Sequence, residues 1–477
     1  MSELLDAIIN QAHFAEEDNE PRKVTGVVQE FVSRVANEAT SSSKGAAVGI
    51  SEAIAVIDQQ ISAQLTEIMH NAKFQKLEGS WRGLNNLVTK TETSSKLKLR
   101  VFTATADELV KDLTGAVEFD QSRMFKLLYE SEYGTFGGSP YSMIVLDYEF
   151  GAGNKDITLM REMAGVAAAC HAPMITAAGA SFFGMEDFSQ LSNPRDLSRV
   201  LDSSEYAKWR SFRETDESRY VALTLPRVLA RAPYGPEGIP VEDVNYVEAV
   251  DSNNPDEFVW SNSAWFLAER VTSAFARFGW TAAIRGVEGG GLIENLPMHT
   301  FKSESGDLEL LCPTETSITD RREKELSDLG FMPLVHCIGT DTAAFFGGQT
   351  ANRPIEYDDA DATANSKLSA RLPYIFAASR FAHYFKVMLR DKIGSFENAD
   401  SVQTYLQGWV SKFILLDDNG SHNSKARFPL REARVDVTEV AGSPGEFRAV
   451  AYLKPHFQLE EIDTSIRLVA TLPPPAA

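Results

Sequence analysis

The residues in this chain best suited to chemistry are few and scattered. Gly286-Val287-Glu288-Gly289-Gly290-Gly291 is a glycine-rich stretch of the kind that can cradle a phosphate. It lacks the Lys-Ser/Thr pair of a P-loop, does not open a clear helix after a strand, and carries a carboxylate at Glu288 that repels phosphate. It reads as a plain loop. Cys170-His171 and His336-Cys337 are two pairs of metal-ligand side chains. Zinc ligands usually stand with roughly two to five residues between them, and neighbours on a strand point to opposite faces. Buried structural cysteines are the better reading. Asp147 ends an apolar run, where α/β enzymes place catalytic groups, but Asp147-Tyr148-Glu149-Phe150-Gly151 reads equally well as a strand exit. No Cys-His-Asn or Gly-x-Ser-x-Gly arrangement occurs. The sequence therefore assigns no catalytic, cofactor-binding or metal-binding residue. The rival reading is a soluble cytosolic α/β enzyme that uses Asp147 or the Gly289 loop on an unidentified ligand.

The 477 residues are 43% hydrophobic and 24% charged, the profile of a soluble globular protein of two to four domains. A net charge of −21 argues against nucleic acid or an anionic membrane as the main partner. Copies of such a surface repel one another, so any assembly needs locally complementary contacts. Three widely spaced cysteines are no disulfide framework and fit a reducing cytosol. Glu3 and Asp6 stand where a secretory signal needs basic residues. The richest apolar run, 164–180, is broken by His171 and Pro173 and is no membrane span.

The elements that would position functional groups follow in order. Residues 1–45 read as a mobile polar arm carrying one apolar segment, 24–35. Val24, Val28 and Val32 lie on its stripe, which suits a helix or an extended strand. Ile54, Ile57, Ile61, Leu65 and Ile68 recur at helical spacing and predict an amphipathic helix over 50–69, continuing through Trp81 to Leu87. Such a stripe is either intramolecular core or a face for a partner. Gly79 and Gly83 inside it mark a tight approach or a break between helices. From 96 to 305 the pattern alternates strand and helix, predicting a layered sheet with covering helices. It includes a strand over 97–103, a helix over 193–208 and a helix over 261–278. Residues 320–328 form a charged helix with Arg321, Arg322, Lys324, Glu325 and Asp328. It is a solvated face or a docking surface. An acidic loop over 355–366 precedes two long helices, 371–393 and 401–413. Three alternating runs close the chain: 431–440 with Val435 and Val437, 447–454 with Phe447, Val450 and Tyr452, and 465–472 with Ile466 and Leu468. A terminal meander pairs with its own chain or offers an edge to another.

Three blocks carry a resemblance. They are Phe74-x-x-Leu77-Glu78-x-x-Trp81-Arg82-Gly83-Leu84-x-x-Leu87-Val88, then Thr319-Asp320-Arg321-Arg322-Glu323-x-Glu325-Leu326 through Leu334-Val335 with Ala343-Ala344-Phe345-Phe346-Gly347-x-Gln349, and Arg371-Leu372-Pro373-Tyr374 leading to Arg380-Phe381-Ala382-His383-Tyr384. Over nearly its whole length the chain resembles the TssC family, the large subunit of the type VI secretion contractile sheath, and more distantly the tail sheaths of contractile phages. The resemblance implies a multi-domain tail-sheath-like α/β fold: an arm (1–45), small-subunit-binding helices (46–95), an α/β middle domain (96–305) and a C-terminal sheath domain (306–477). It implies a structural, cytoplasmic protein without cofactors. The implied partners are the small subunit TssB, copies of itself in a six-fold helical polymer, the Hcp inner tube, the baseplate and the recycling AAA+ ATPase ClpV. On this reading Ile54, Ile57, Ile61, Leu65 and Ile68 meet the small subunit. The arm and the three terminal runs exchange strands between subunits, and the charged helix 320–328 faces the tube.

Overall fold

The computed structural model describes residues 46–193, 196–236, 238–242, 245–252, 254–302, 306–392, 398–417, 419–439 and 447–456. They divide into two compact units. One comprises residues up to Gln75 with Ala232–Phe258, the other Lys76–Arg231 with the residues from Val259 on. The arm positions Val24, Val28 and Val32, and Ile466 and Leu468 of the last run, lie outside the described residues.

In the first unit, helix α1 (Ala46–Met69) is followed by a break at His70-Asn71. Segment 232–258 is tied to the C-terminal half of α1: the Thr66 and Tyr246 hydroxyls lie 3.3 Å apart, and His70 Nε2 is 3.4 Å from Glu248.

In the second unit, helix α2 (Ala72–Lys90, from Lys76 on) leads to α3 (Ala106–Gly115), which opens on a full capping box between Thr105 and Glu108. Strand β1 (Ile144–Phe150), helix α4 (Asn154–Cys170), β2 (Met174–Ala178) and β3 (Val221–Leu225) follow. Helix α5 (Ser263–Phe278) ends at Gly279 in the left-handed conformation. Then come β4 (Leu292–Ile293), α6 (Asp320–Asp328), β5 (Met332–His336) and β6 (Ala343–Phe345). Helices α7 (Leu372–Asp391) and α8 (Ala399–Val410) precede the hairpin β7 (Leu430–Glu439) and β8 (Phe447–Pro455).

The main sheet runs β1-β2-β3-β5-β6-β4, parallel through β5 and antiparallel beyond it. It draws strands from both sides of residue 306. Its two faces obey the period of two. Val221, Leu223 and Leu225 of β3 enter one core with α4, Phe182 and Trp209. Ala222 enters the other with Phe266, Leu267 and Val271 of α5. Helices thus cover both faces, as a parallel sheet requires. A third core gathers Trp280, Phe381, Leu406, Val410, Leu430, Val435 and Val437.

Three expectations fail here for local reasons. Residues 97–103 form no strand: Val101 and Phe102 are exposed and the segment joins no ladder, although Arg100 pairs with Glu132. Residues 193–208 are not one helix. A short helix Leu197–Leu201 gives way to a 3-10 turn before Ala207–Arg213. The acidic loop winds into helix Ala360–Ser369, because Asp359 caps it by accepting from the Asp361 amide at 3.0 Å.

Gly79 and Gly83 bring α2 into close approach rather than breaking it. A Cβ at Gly79 would lie 2.1 Å from the Trp260 carbonyl oxygen, and one at Gly83 2.3 Å from Trp265 Cδ1. Beside them Glu78 accepts from Arg82 at 2.7 Å and from Arg231 at 2.6 Å. On α7, His383 Nε2 donates to the Cys170 carbonyl at the C-terminus of α4 at 2.8 Å, while its Nδ1 is buried with no partner among the described residues. Burial pushes this imidazole down to about 4, outweighing the bond to Cys170.

Two predictions follow from these contacts. Gly79→Ala meets fixed backbone and is expected to cost about 2–3 kcal/mol, whereas Gly115→Ala, with nothing within 4 Å, changes little; urea midpoints of the two variants check this. Below its unfolded pKa, His383 takes up a proton in the unfolded chain but not in the folded one. Stability is therefore expected to fall by up to about 3 kcal/mol as pH drops from about 6.5 to about 4, and His383→Gln to remove that part of the slope in urea titrations at stepped pH.

Candidate assembly surfaces

Two of the candidates for chemistry, Asp147 and the glycine stretch, have structural work. Asp147 Oδ1 accepts from the Trp265 indole nitrogen at 3.1 Å. The glycine stretch is a tight turn whose Gly286 and Gly290 have φ of 72° and 94°. Its Gly286 amide donates to Phe345, and a Cβ at Gly290 would strike the Ala283 carbonyl at 2.4 Å. Close packing accounts for Gly290 and Gly291, and the left-handed backbone for Gly286. The turn borders a cavity of about 1170 Å³ with Arg285, Lys324, His422 and Lys425. Cys170 is buried as expected, but Cys337 is exposed. It follows His336, the last residue of β5, with its side chain exposed. Among the described residues no three His, Cys, Asp or Glu side chains cluster as a metal site requires.

The apolar stripe of α1 is on the surface. Ile54, Ile57, Ile61 and Ile68 are 48, 41, 37 and 54% exposed, and Leu65 is half-buried. The second unit shows the same on α2. Gly79, Gly83 and Leu87 face inward, while Leu77, Trp81 and Val88 face solvent, Trp81 at 63%. The glycines that let the helix sit close thus turn its largest side chain outward. A contiguous row of large apolar groups left in water marks an interaction face. The sequence marks Trp81 as part of the first resemblance block but does not show that it faces outward.

The terminal hairpin has two different edges. Along β7, the Val435 amide donates to Gln407 Oε1 at 2.9 Å, Gln407 Nε2 donates to the Ala433 carbonyl at 3.1 Å, and the Val437 amide donates to Gln403 Oε1 at 3.2 Å. Two side-chain amides of α8 therefore occupy the positions of a neighbouring strand. These bonds also fix the pattern of the ladder. Ala433, Val435 and Val437 point their backbone groups away from β8, so their opposites Leu453, Ala451 and Ala449 point theirs away from β7. That outer edge of β8 has no strand beside it among the described residues. The side chains divide as well. Val435 and Val437 are buried against α7 and α8 and Phe447 is half-buried, whereas Val450 and Tyr452 are exposed, with Arg434 stacked 4.6 Å over the Tyr452 ring.

Helix α6 is amphipathic in charge. Arg322 pairs with Glu325 at 2.7 Å and donates to the Asn193 carbonyl at 2.8 Å; Glu325 accepts from the Leu197 amide at 2.8 Å. These two brace the neighbouring loop. Arg321, Lys324 and Asp328 are exposed. On the inner side, burial pushes the Glu323 carboxyl above its usual range, with the Ser327 hydroxyl offsetting part of the effect.

The chain fits the EvpB/VC_A0108 tail sheath N-terminal domain over residues 51–352 and the tail sheath gpW/gp25-like domain over residues 361–472. It is 47% identical over 449 residues to the type VI secretion system sheath protein TssC1 of Pseudomonas aeruginosa, covering 93% of this chain and 88% of that protein. Among solved structures it is similar to the sheath complex of an extracellular contractile injection system (PVC) in the contracted state, at 10% identity and a TM-score of 0.36, over 68% of this chain and 70% of that one. The anti-feeding prophage baseplate aligns at 12% identity and a TM-score of 0.34, over 66% of each chain. With two family domains in order across the chain and near-half identity to a sheath protein over most of its length, the chain belongs to the TssC (VipB) family of type VI secretion sheath proteins.

Proposed function

We propose that the chain is the large sheath subunit that pairs with the small subunit TssB, polymerises with copies of itself in a six-fold helical lattice on a baseplate, and encloses an Hcp tube. The sheath assembles extended in the cytoplasm, contracts to drive the tube outward, and is dismantled by the ATPase ClpV. The role is mechanical and needs no catalytic group or cofactor. The observation that carries the polymer reading is the pair of unlike edges on the terminal hairpin. One is closed by Gln403 and Gln407, and the other, through Ala449, Ala451 and Leu453, offers backbone groups to an incoming strand. In this proposal the incoming strands come from the 24–35 arm and the 465–472 run of neighbouring subunits. The exposed stripes of α1 and α2 receive the small subunit. In this proposal the exposed charges of α6, Arg321, Lys324 and Asp328, face the tube, while Arg322 and Glu325 brace the neighbouring loop. No helix among the described residues is long and apolar enough to cross a membrane.

Ala449→Pro removes an outward-facing N–H without removing a bond to β7. Co-expressed with the small subunit, it is expected to yield soluble pairs and no tubes in negative stain; normal tubes from this variant would sink the edge assignment. Trp81→Ala is expected to weaken the small subunit's affinity about 30-fold, the loss of a centrally placed aromatic anchor. An unchanged affinity by titration calorimetry would remove α2 from that interface.

A further inference from the structure

The sequence sets His336 beside Cys337, but the fold gives it a different cysteine. Cys312 follows the strand Leu308–Leu310 and is held in place by its neighbours: the Leu229 amide donates to the Pro313 carbonyl at 2.8 Å, and Thr314 bridges Val228. His336 ends β5. Cys312 Sγ lies 3.4 Å from His336 Nδ1, and His336 Nε2 lies 2.8 Å from the Thr340 carbonyl oxygen. A carbonyl oxygen only accepts, so Nε2 carries a proton and Nδ1 turns its lone pair to the sulfur. The thiol proton can then reside on sulfur or on Nδ1. The Thr314 hydroxyl stands 3.2 Å from the same sulfur and donates its proton to the Thr316 carbonyl at 2.9 Å. Burial pushes the Cys312 thiol up, but its side-chain contacts with His336 and Thr314 outweigh it and leave the group below an ordinary thiol. His336 shifts the other way: burial lowers it, and the bonds to Cys312 and Thr340 more than restore it. Histidine, cysteine and an orienting carbonyl in this order are the parts of an activated thiol. Cys170 is buried in the core, and Cys337, the most exposed of the three, lacks such a partner in the described structure.

We propose that Cys312 is a thiol-modification site for low-molecular-weight disulfides, with His336 as its proton partner. The Cys312 thiolate attacks one sulfur of the disulfide. That S–S bond breaks as the new one forms, and the departing thiolate leaves with the electron pair and takes the proton held on His336 Nδ1. One thiol and one disulfide become one mixed disulfide and one thiol, so no further oxidant enters. The adduct would sit at the end of β5, between the main sheet and the 311–316 segment that crosses Val228.

The test treats the full chain with 4,4′-dithiodipyridine and follows each cysteine by peptide mass mapping. At about pH 6, Cys312 is expected to react about tenfold faster than Cys337 despite its lower exposure. Between about pH 8 and 6 its rate should fall less than about threefold, whereas in His336→Gln it should fall about tenfold per pH unit. Faster reaction at Cys337 in the unmodified chain overturns the proposal. So does an unchanged Cys312 pH profile in a His336→Gln chain with native circular dichroism. If that variant does not fold, the ratio and pH profile in the unmodified chain decide alone.

Discussion

A strand in a sheet has two edges, and every backbone group on both must find a partner. On β7 one edge is closed by β8 and the other by the amides of Gln403 and Gln407. A glutamine side chain carries an acceptor oxygen and a donor NH2, so Gln407 can serve a strand N–H and a strand C=O at once. The substitution has two consequences. It locks the hairpin onto α8 through directed bonds as well as through Val435 and Val437, and it removes one of the two places where a foreign strand could add. Among the described residues what stays open is β8, on the side away from the core. The direction in which the hairpin can be extended follows from two residues on a helix.

The same logic governs α2. Its inward face is made of Gly79, Gly83 and Leu87, and the absence of side chains lets the backbone approach Trp260 and Trp265 within contact distance. Glu78 then fastens the helix laterally through Arg231, both side chains nearly buried. An ion pair so placed is weak evidence of net stability but a strong constraint on rotation, since breaking it strands a charge. Close approach and lateral fastening fix which face is outward, and that face carries Trp81. Hydrophobicity alone would have buried the tryptophan.

How much of this was legible in the sequence depended on whether the signal was local. Helix α5 with its Gly279 stop, the capping box at Thr105 and the buried parallel strands were readable, because caps and unbroken apolar runs act over a few residues. The run 97–103 has strand composition but, among the described residues, no neighbour to complete a ladder, and neighbours are not written locally. The Asp359 cap was hidden in a stretch whose acidity suggested a loop. Gln403 and Gln407, four apart on one face of α8, look like ordinary solvated residues until the strand they satisfy is placed against them. The pairing of Cys312 with His336 spans 24 residues, beyond the reach of any motif. The sequence also left α1 as either core or partner face, and exposure of its isoleucines in the fold shows that they are not core.

Charge sets the remaining constraint. A chain of net charge −21 is repelled by its copies, and that repulsion acts over roughly 8 Å at physiological ionic strength. Among the described residues the unpaired edge of β8 is locally neutral: Phe447, Ala449, Ala451 and Leu453, whose backbone groups point outward, carry no charge, and Arg448 and Lys454 flank them on the other face. Bonds between backbone groups are indifferent to net charge and short in range. A contact made of them can hold once formed while the repelling surfaces stay apart, and its strength does not depend on the relative rotation of the domains behind it. A lattice joined by complementary side chains would have to break and remake its contacts whenever its subunits reorient. One joined by strands needs only the segments leading into those strands to move.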